Sequence, residues 1–116
     1  MAQMTDVTIA SISREELERK MNRQDSFVLM EILPPEEFQK AHLPGAVNVP
    51  AESLEALARN LVPTEQTEVI TYCAGSSCHA SGKAAQDLVK LGYTNVGHFL
   101  GGKKEWMAAG LPVERG

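Results

Sequence analysis

The chain reads as an α/β domain with a largely parallel sheet, and three observations predict it. Short apolar or β-branched runs alternate with segments of helical spacing along the sequence. The run Phe27-Val28-Leu29-Met30-Glu31-Ile32 is nearly all apolar, which suits a central strand covered on both faces. Glu68-Val69-Ile70-Thr71-Tyr72 stops at Cys73, where a loop of small residues leads into a helical pattern. That strand–loop–helix order belongs to right-handed crossovers between parallel strands.

Val7-Thr8-Ile9-Ala10 is the first candidate strand. Ser13-Arg14-Glu15-Glu16 has the Ser-x-x-Glu spacing of a capping box, so a helix starts near Ser13 with Leu17 and Met21 as its narrow apolar face. Asn22 to Ser26 connects to the apolar strand at 27–32, which Pro34 and Pro35 stop. Glu36 to Lys40 reads as a short helix entered through a proline, and His42-Leu43-Pro44-Gly45 as a turn. Ala46-Val47-Asn48-Val49 is a short strand closed by Pro50. Leu54, Leu57, Ala58 and Leu61 then have helical spacing, ended by Pro63. Beyond the Cys73 loop, Lys83 to Leu91 places Ala84, Leu88 and Leu91 on one helical face and stops at Gly92. Thr94 to Phe99 is the final strand. Gly101-Gly102 opens the last helix, anchored by Trp106 and Met107 and ended by Gly110 and Pro112.

At 116 residues the chain predicts one domain over 1–116. Hydrophobic content of 43% and charged content of 22% are ordinary globular values. A net charge of −4 leaves no cationic excess for phosphates, so nucleic acid is not an expected partner. Met1-Ala2-Gln3-Met4-Thr5-Asp6 lacks the blocks of a signal peptide, and no apolar run approaches the roughly 20 residues that span a bilayer. The expectation is a soluble cytoplasmic protein with no membrane partner. Two cysteines do not make a secreted disulfide framework; they are catalytic, redox-active or inert.

The loop after the fourth strand carries the chemistry. Successive backbone N–H groups in a tight turn, next to a helix N-terminus, suit an anion. The same field lowers the pKa of a thiol held there from about 8.5. Cys73 is therefore the candidate nucleophile, against the alternative of a small buried hydrophobe. Cys78, five positions on, is a resolving thiol, a guard of the resting thiol, or an unreactive loop residue. His79 donates to substrate, favours a neighbouring thiolate as a cation, or faces solvent. Cys73, Cys78 and His79, with only His42 and His98 as further nitrogen donors, lack the paired spacings of a structural zinc site. No metal and no cofactor are expected. His42 is a structural hydrogen-bonding residue of its turn, Trp106 is core, and Lys83 and Asp87 pair at i,i+4.

Four pieces, in this order, resemble the rhodanese-like family over nearly the whole chain. They are Glu36-Glu37-Phe38-Gln39-Lys40-Ala41-His42-Leu43-Pro44-Gly45-Ala46-Val47-Asn48-Val49-Pro50, Tyr72-Cys73 with its loop and Lys83-Ala84-Ala85, Gly101-Gly102-Lys103-Lys104-Glu105-Trp106, and Gly110-Leu111-Pro112-Val113. The resemblance implies a five-stranded, mostly parallel sheet flanked by helices on both faces, with Cys73 in the position of the sulfur-accepting cysteine. It implies sulfurtransferase chemistry, in which Cys73 attacks the outer sulfur of thiosulfate or a persulfide donor. A Cys73 persulfide forms, and a thiophilic acceptor such as cyanide, a thiol or a protein takes the sulfur. The expected partners are thus a small sulfur-containing anion and that acceptor.

Two departures from the family pattern stand out. The family's loop is typically shorter and contains an arginine, whereas Ala74 to Ser81 has none and includes a second cysteine and a histidine. Glu31-Ile32-Leu33 also puts leucine where the family commonly has the arginine of Asp-x-Arg. The substrate cradle is therefore expected from the backbone of Ala74, Gly75, Ser76, Ser77 and His79, with Lys83, Lys103 or Lys104 as supplementary charge. Without a fixed multidentate cation for equatorial oxygens, a cysteine phosphatase is disfavoured. Three readings follow: a sulfurtransferase, a two-cysteine redox or sulfide-releasing protein acting through Cys73 and Cys78, and a non-catalytic rhodanese-like binding module.

Overall fold

The computed structural model describes residues 8–116. Strands Ala10–Ser11 (β1), Val28–Glu31 (β2), Val47–Asn48 (β3), Val69–Tyr72 (β4) and Val96–His98 (β5) form one sheet in the order β1-β5-β4-β2-β3. Every strand pairing is parallel. Outside the strands, His42 and Glu114 make an isolated antiparallel bridge. The α-helices are Arg14–Asn22 (α1), Pro35–Lys40 (α2), Leu54–Leu61 (α3), Ala80–Lys90 (α4) and Gly102–Ala108 (α5).

A parallel sheet needs cover on both faces, and the two-residue period of a strand supplies apolar groups to each. Ile70 and Tyr72 of β4 join Leu17 of α1 and Trp106 of α5 in one buried cluster. Val69, one residue earlier, joins Leu54 and Ala58 of α3 with Ala84 and Leu88 of α4 in the other. Helices therefore flank the sheet on both faces, with β4 near its centre.

The local signals explain most boundaries. Ser13 caps α1, its Oγ accepting from the Glu16 amide at 3.1 Å. Pro35 occupies the first turn of α2, where a missing N–H costs nothing. Three expectations need correction. The first strand lies at Ala10–Ser11, because its register is set by pairing with Gly97 and His98; Val7 lies outside the described residues. Met107 is 44% exposed and is no anchor, whereas Trp106 is 2% exposed and donates from Nε1 to the Pro112 carbonyl at 2.8 Å. Adjacent residues on a helix point about 100° apart, so one short helix does not bury both. Finally, α4 begins at Ala80, so Ser81 belongs to a helix rather than to the loop.

Candidate active site

The carboxyl end of a strand in a parallel sheet is where ligand sites form, because the following loop and helix leave a crevice there. Cys73 directly follows β4 at that edge and is 1% exposed. The chain turns over it, closed by the Cys78 amide donating to the Gly75 carbonyl at 3.0 Å. Ala74, Ser76, Ser77 and His79 are exposed on the outside of this loop, and Gly75 is buried. Among the described residues, the amides of Ala74, Gly75, Ser76 and Ser77 donate to no backbone carbonyl.

The loop is held from the other side by α5. The amides of Lys103 and Lys104 donate to the carbonyls of Cys73 and Ala74 at 2.9 and 2.7 Å. This approach requires glycine at 102. Its φ is +65°, and a Cβ there would collide with the Cys73 carbonyl and come within 2.9 Å of the Gly75 nitrogen.

Cys73 and Cys78 are joined as a disulfide, with Cα atoms 6.4 Å apart, within the span that a disulfide bridges. Cys78 is the more accessible half of the pair. The Cys73 sulfur is also 3.2 Å from Ser81 Oγ, which lies 2.8 Å from His98 Nε2. Ser81 is 2% exposed, and its carbonyl accepts from Thr71 Oγ1 at 2.8 Å. Thr71 and His98 are register partners in β4 and β5, so the first turn of α4 rests on both. A disulfide sulfur carries no proton, so in this state the Ser81 hydroxyl donates either to sulfur or to the imidazole. Burial lowers the pKa of His98 below its ordinary 6.5, which leaves a neutral ring at neutral pH. A cavity of about 320 Å³ opens beside the disulfide, lined by Cys78, His79, Lys83, Gln86, His98 and Leu100.

The expected residues are thus partly gathered. Cys73, Cys78 and the loop 74–79 lie together at the edge of β4. Lys83 lines the cavity, but its ammonium pairs with Asp87 Oδ2 at 2.9 Å, as the i,i+4 spacing predicts. Lys103 is committed elsewhere, 3.3 Å from Glu31 Oε2 and donating to the Glu37 carbonyl at 3.0 Å. Lys104 has no acidic partner among the described residues. His42 stacks on Phe38 with ring centroids 3.7 Å apart, its Nδ1 2.9 Å from the Phe38 carbonyl. Among the described residues, no group of three or more His, Cys, Asp or Glu side chains is placed to hold a metal, and no helix is long and apolar enough to cross a membrane. Ser81 and His98 were not singled out as site residues from sequence. The available signal was that His98, like Cys73, falls at the carboxyl end of a predicted strand.

The family model for the rhodanese-like domain matches residues 13–109. The chain belongs to the rhodanese-like family. Its relatives include the HTH-type transcriptional regulator Rv0324 of Mycobacterium tuberculosis, 33% identical over 91% of this chain and 45% of that protein. A putative sulfur carrier protein, YrkF of Bacillus subtilis, is 30% identical over 85% of this chain and 51% of its own length. Thiosulfate sulfurtransferase PspE of Escherichia coli is 32% identical over 66% of this chain and 70% of that one. The rhodanese-like chain thus spans about half the length of the regulator and of the sulfur carrier. Among solved structures, a thiosulfate sulfurtransferase from Pseudomonas aeruginosa superposes with a TM-score of 0.83 at 28% identity, over 93% of this chain and 20% of that one.

Proposed function

We propose that this domain is a sulfurtransferase that carries sulfane sulfur as a Cys73 persulfide. The observation that supports it best is the placement of Cys73 at the end of β4, in a loop to α4 whose amides at 74–77 meet no backbone carbonyl among the described residues. Relatives named as sulfurtransferases and as a sulfur carrier support the same reading. In the first half-reaction the Cys73 thiolate attacks the outer sulfur of thiosulfate or of a persulfide donor. The donor's S–S bond breaks, and sulfite or a thiolate leaves with the electron pair. In the second half-reaction a thiol or protein acceptor attacks the outer sulfur of the persulfide, and Cys73 leaves as thiolate. The loop amides offset the negative charge of donor and persulfide in place of the absent arginine.

The Cys73–Cys78 disulfide favours a second outcome for the same intermediate. Cys78 thiolate attacks the inner sulfur of the persulfide, the Cys73 disulfide with Cys78 forms, and hydrosulfide leaves. An external dithiol or two thiols then reduce the disulfide and are themselves oxidised. Intact-protein mass after incubating the reduced domain with thiosulfate tests both outcomes. A gain of one sulfur that is lost in Cys73→Ser supports the persulfide, and longer retention in Cys78→Ser supports the resolving step. If neither thiosulfate nor a persulfide donor loads any sulfur, the domain is a binding module instead.

A further inference from the structure

We propose that Ser81 and His98 form a proton relay that activates Cys73, with Ser81 as the catalytic hydroxyl touching the reacting sulfur and His98 acting through it as a positioning residue. The geometry is a continuous chain: Cys73 Sγ to Ser81 Oγ at 3.2 Å, and Ser81 Oγ to His98 Nε2 at 2.8 Å. Three elements are needed to build it, since the members follow β4, open α4 and end β5. Cys73 and Ser81 are buried and His98 is half-buried, and the Thr71 hydroxyl fixes the Ser81 backbone.

The distances are those of the disulfide form; with the reduced sulfur in the same place, the chain supports two proton arrangements that need no further movement of heavy atoms. In one, the thiol donates to Ser81 Oγ and the Ser81 hydroxyl donates to a neutral Nε2. In the other, both protons have shifted one place: Nε2–H donates to Ser81 Oγ and the Ser81 hydroxyl donates to a thiolate. The second state is a thiolate–imidazolium pair bridged by one hydroxyl, formed without a water molecule entering. When the thiolate attacks a donor, the proton stays on His98. It returns through Ser81 when the acceptor removes the sulfur and Cys73 leaves. No atom is gained or lost in the relay itself. A loop without arginine thereby obtains a cation beside its nucleophile only while Cys73 is ionised, when the thiolate offsets the burial that keeps the ring neutral in the disulfide form.

The inference rests on the reading of Cys73 as the nucleophile, and its test needs no sulfur donor. Ser81 bonds to His98 Nε2, and the titratable and charged residues that line the cavity with His98 are Cys78, His79 and Lys83. Ser11 of β1 and Thr71 of β4 flank it in register and do not titrate. The measurement is the pH profile of iodoacetamide alkylation of the reduced Cys78→Ser protein, which isolates the Cys73 thiol. Adding Ser81→Ala or His98→Gln is expected to raise the apparent thiol pKa by about one unit, slowing alkylation near pH 7 about tenfold. The double substitution is expected to be no slower than either single one, because breaking either link breaks the chain. An unchanged profile in either folded variant, or multiplicative losses in the double variant, overturns the relay. A second readout serves if a variant fails to fold. In the Cys78→Ser protein, alkylating Cys73 is expected to shift the ¹⁵N titration of the His98 ring, and an unmoved titration overturns the relay. If the alkylation profile shifts as expected while no protein accepts sulfur, the relay stands and the sulfurtransferase reading falls.

Discussion

The Tyr72 hydroxyl donates to Glu31 Oε1 at 2.6 Å, joining neighbouring residues of β4 and β2 in a pair with no exposed surface. The Leu43 amide donates to the same hydroxyl at 3.1 Å, and Lys103 approaches the other carboxylate oxygen. This network ties the strand that delivers Cys73 to α5, which braces the Cys73 loop. Tyr72→Phe leaves a buried carboxylate oxygen and an amide short of a partner, and is expected to cost about 1–3 kcal/mol of stability. Urea unfolding of the two proteins measures it.

Burial, and secondarily the Glu31 carboxylate, raise the Tyr72 phenol above its ordinary 10.0. A folded pKa above the unfolded one means that stability is full below the unfolded value and declines as pH rises past it, because only the unfolded chain then loses its proton. The folded protein is therefore expected to weaken above pH of about 10, and Tyr72→Phe to flatten that decline. Urea midpoints across the alkaline range check this.

His98 predicts the opposite limb. Its folded pKa is lowered by burial, so stability is full above about pH 6.5 and falls as the unfolded chain takes up a proton that the folded ring resists. The loss levels off once the folded ring also protonates. Measured on the disulfide form, where no thiolate pairs with the ring, His98→Gln is expected to remove part of the slope just below neutrality. A slope identical to that of the parent protein would contradict this account of the ring.

Gly102 and Gly110 separate backbone conformation from crowding. Both have positive φ, but a Cβ at 110 meets nothing within 4 Å, whereas one at 102 strikes the Cys73 carbonyl. Gly110→Ala is expected to cost only about 1–2 kcal/mol, the penalty of a left-handed backbone. Gly102→Ala is expected to cost more and to displace the Cys73 loop, which slows alkylation of the reduced thiol. Thermal unfolding and alkylation rates of the two variants provide the comparison.

In the disulfide form Cys73 has no thiolate. The oxidised protein is expected to take no sulfur from thiosulfate until a thiol reductant is added, and to show no alkylation of either cysteine. Intact mass before and after reduction, each followed by alkylation, reads both effects. Alkylation of the unreduced protein would contradict a Cys73–Cys78 bond.

The fold and the place of Cys73 at the end of β4 were legible because they rest on local signals: the apolar run of β2, the cap at Ser13, and a cysteine at the point where β4 meets small residues. The boundary of α4 was less legible. Ala80-Ser81-Gly82 has the composition of a loop, yet the packing of Ala84, Ala85 and Leu88 against the sheet extends the helix back to Ala80. Ser81 and His98 stayed hidden for a related reason. Their contact with Cys73 depends on parallel register between β4 and β5 and on the seating of α4 over Thr71 and His98, and neither is encoded by spacing along the chain. Lys103 carried a charge that its position suggested for the loop, but the buried Glu31 holds it.

The most direct test is the intact mass of the reduced Cys78→Ser protein, which lacks the resolving thiol, after exposure to thiosulfate, with Cys73→Ser treated in parallel. The account predicts the addition of one sulfur atom to Cys78→Ser, removable by a thiol, and none to Cys73→Ser. Sulfur retained equally by Cys73→Ser, or absent from Cys78→Ser with both thiosulfate and a persulfide donor, would contradict it.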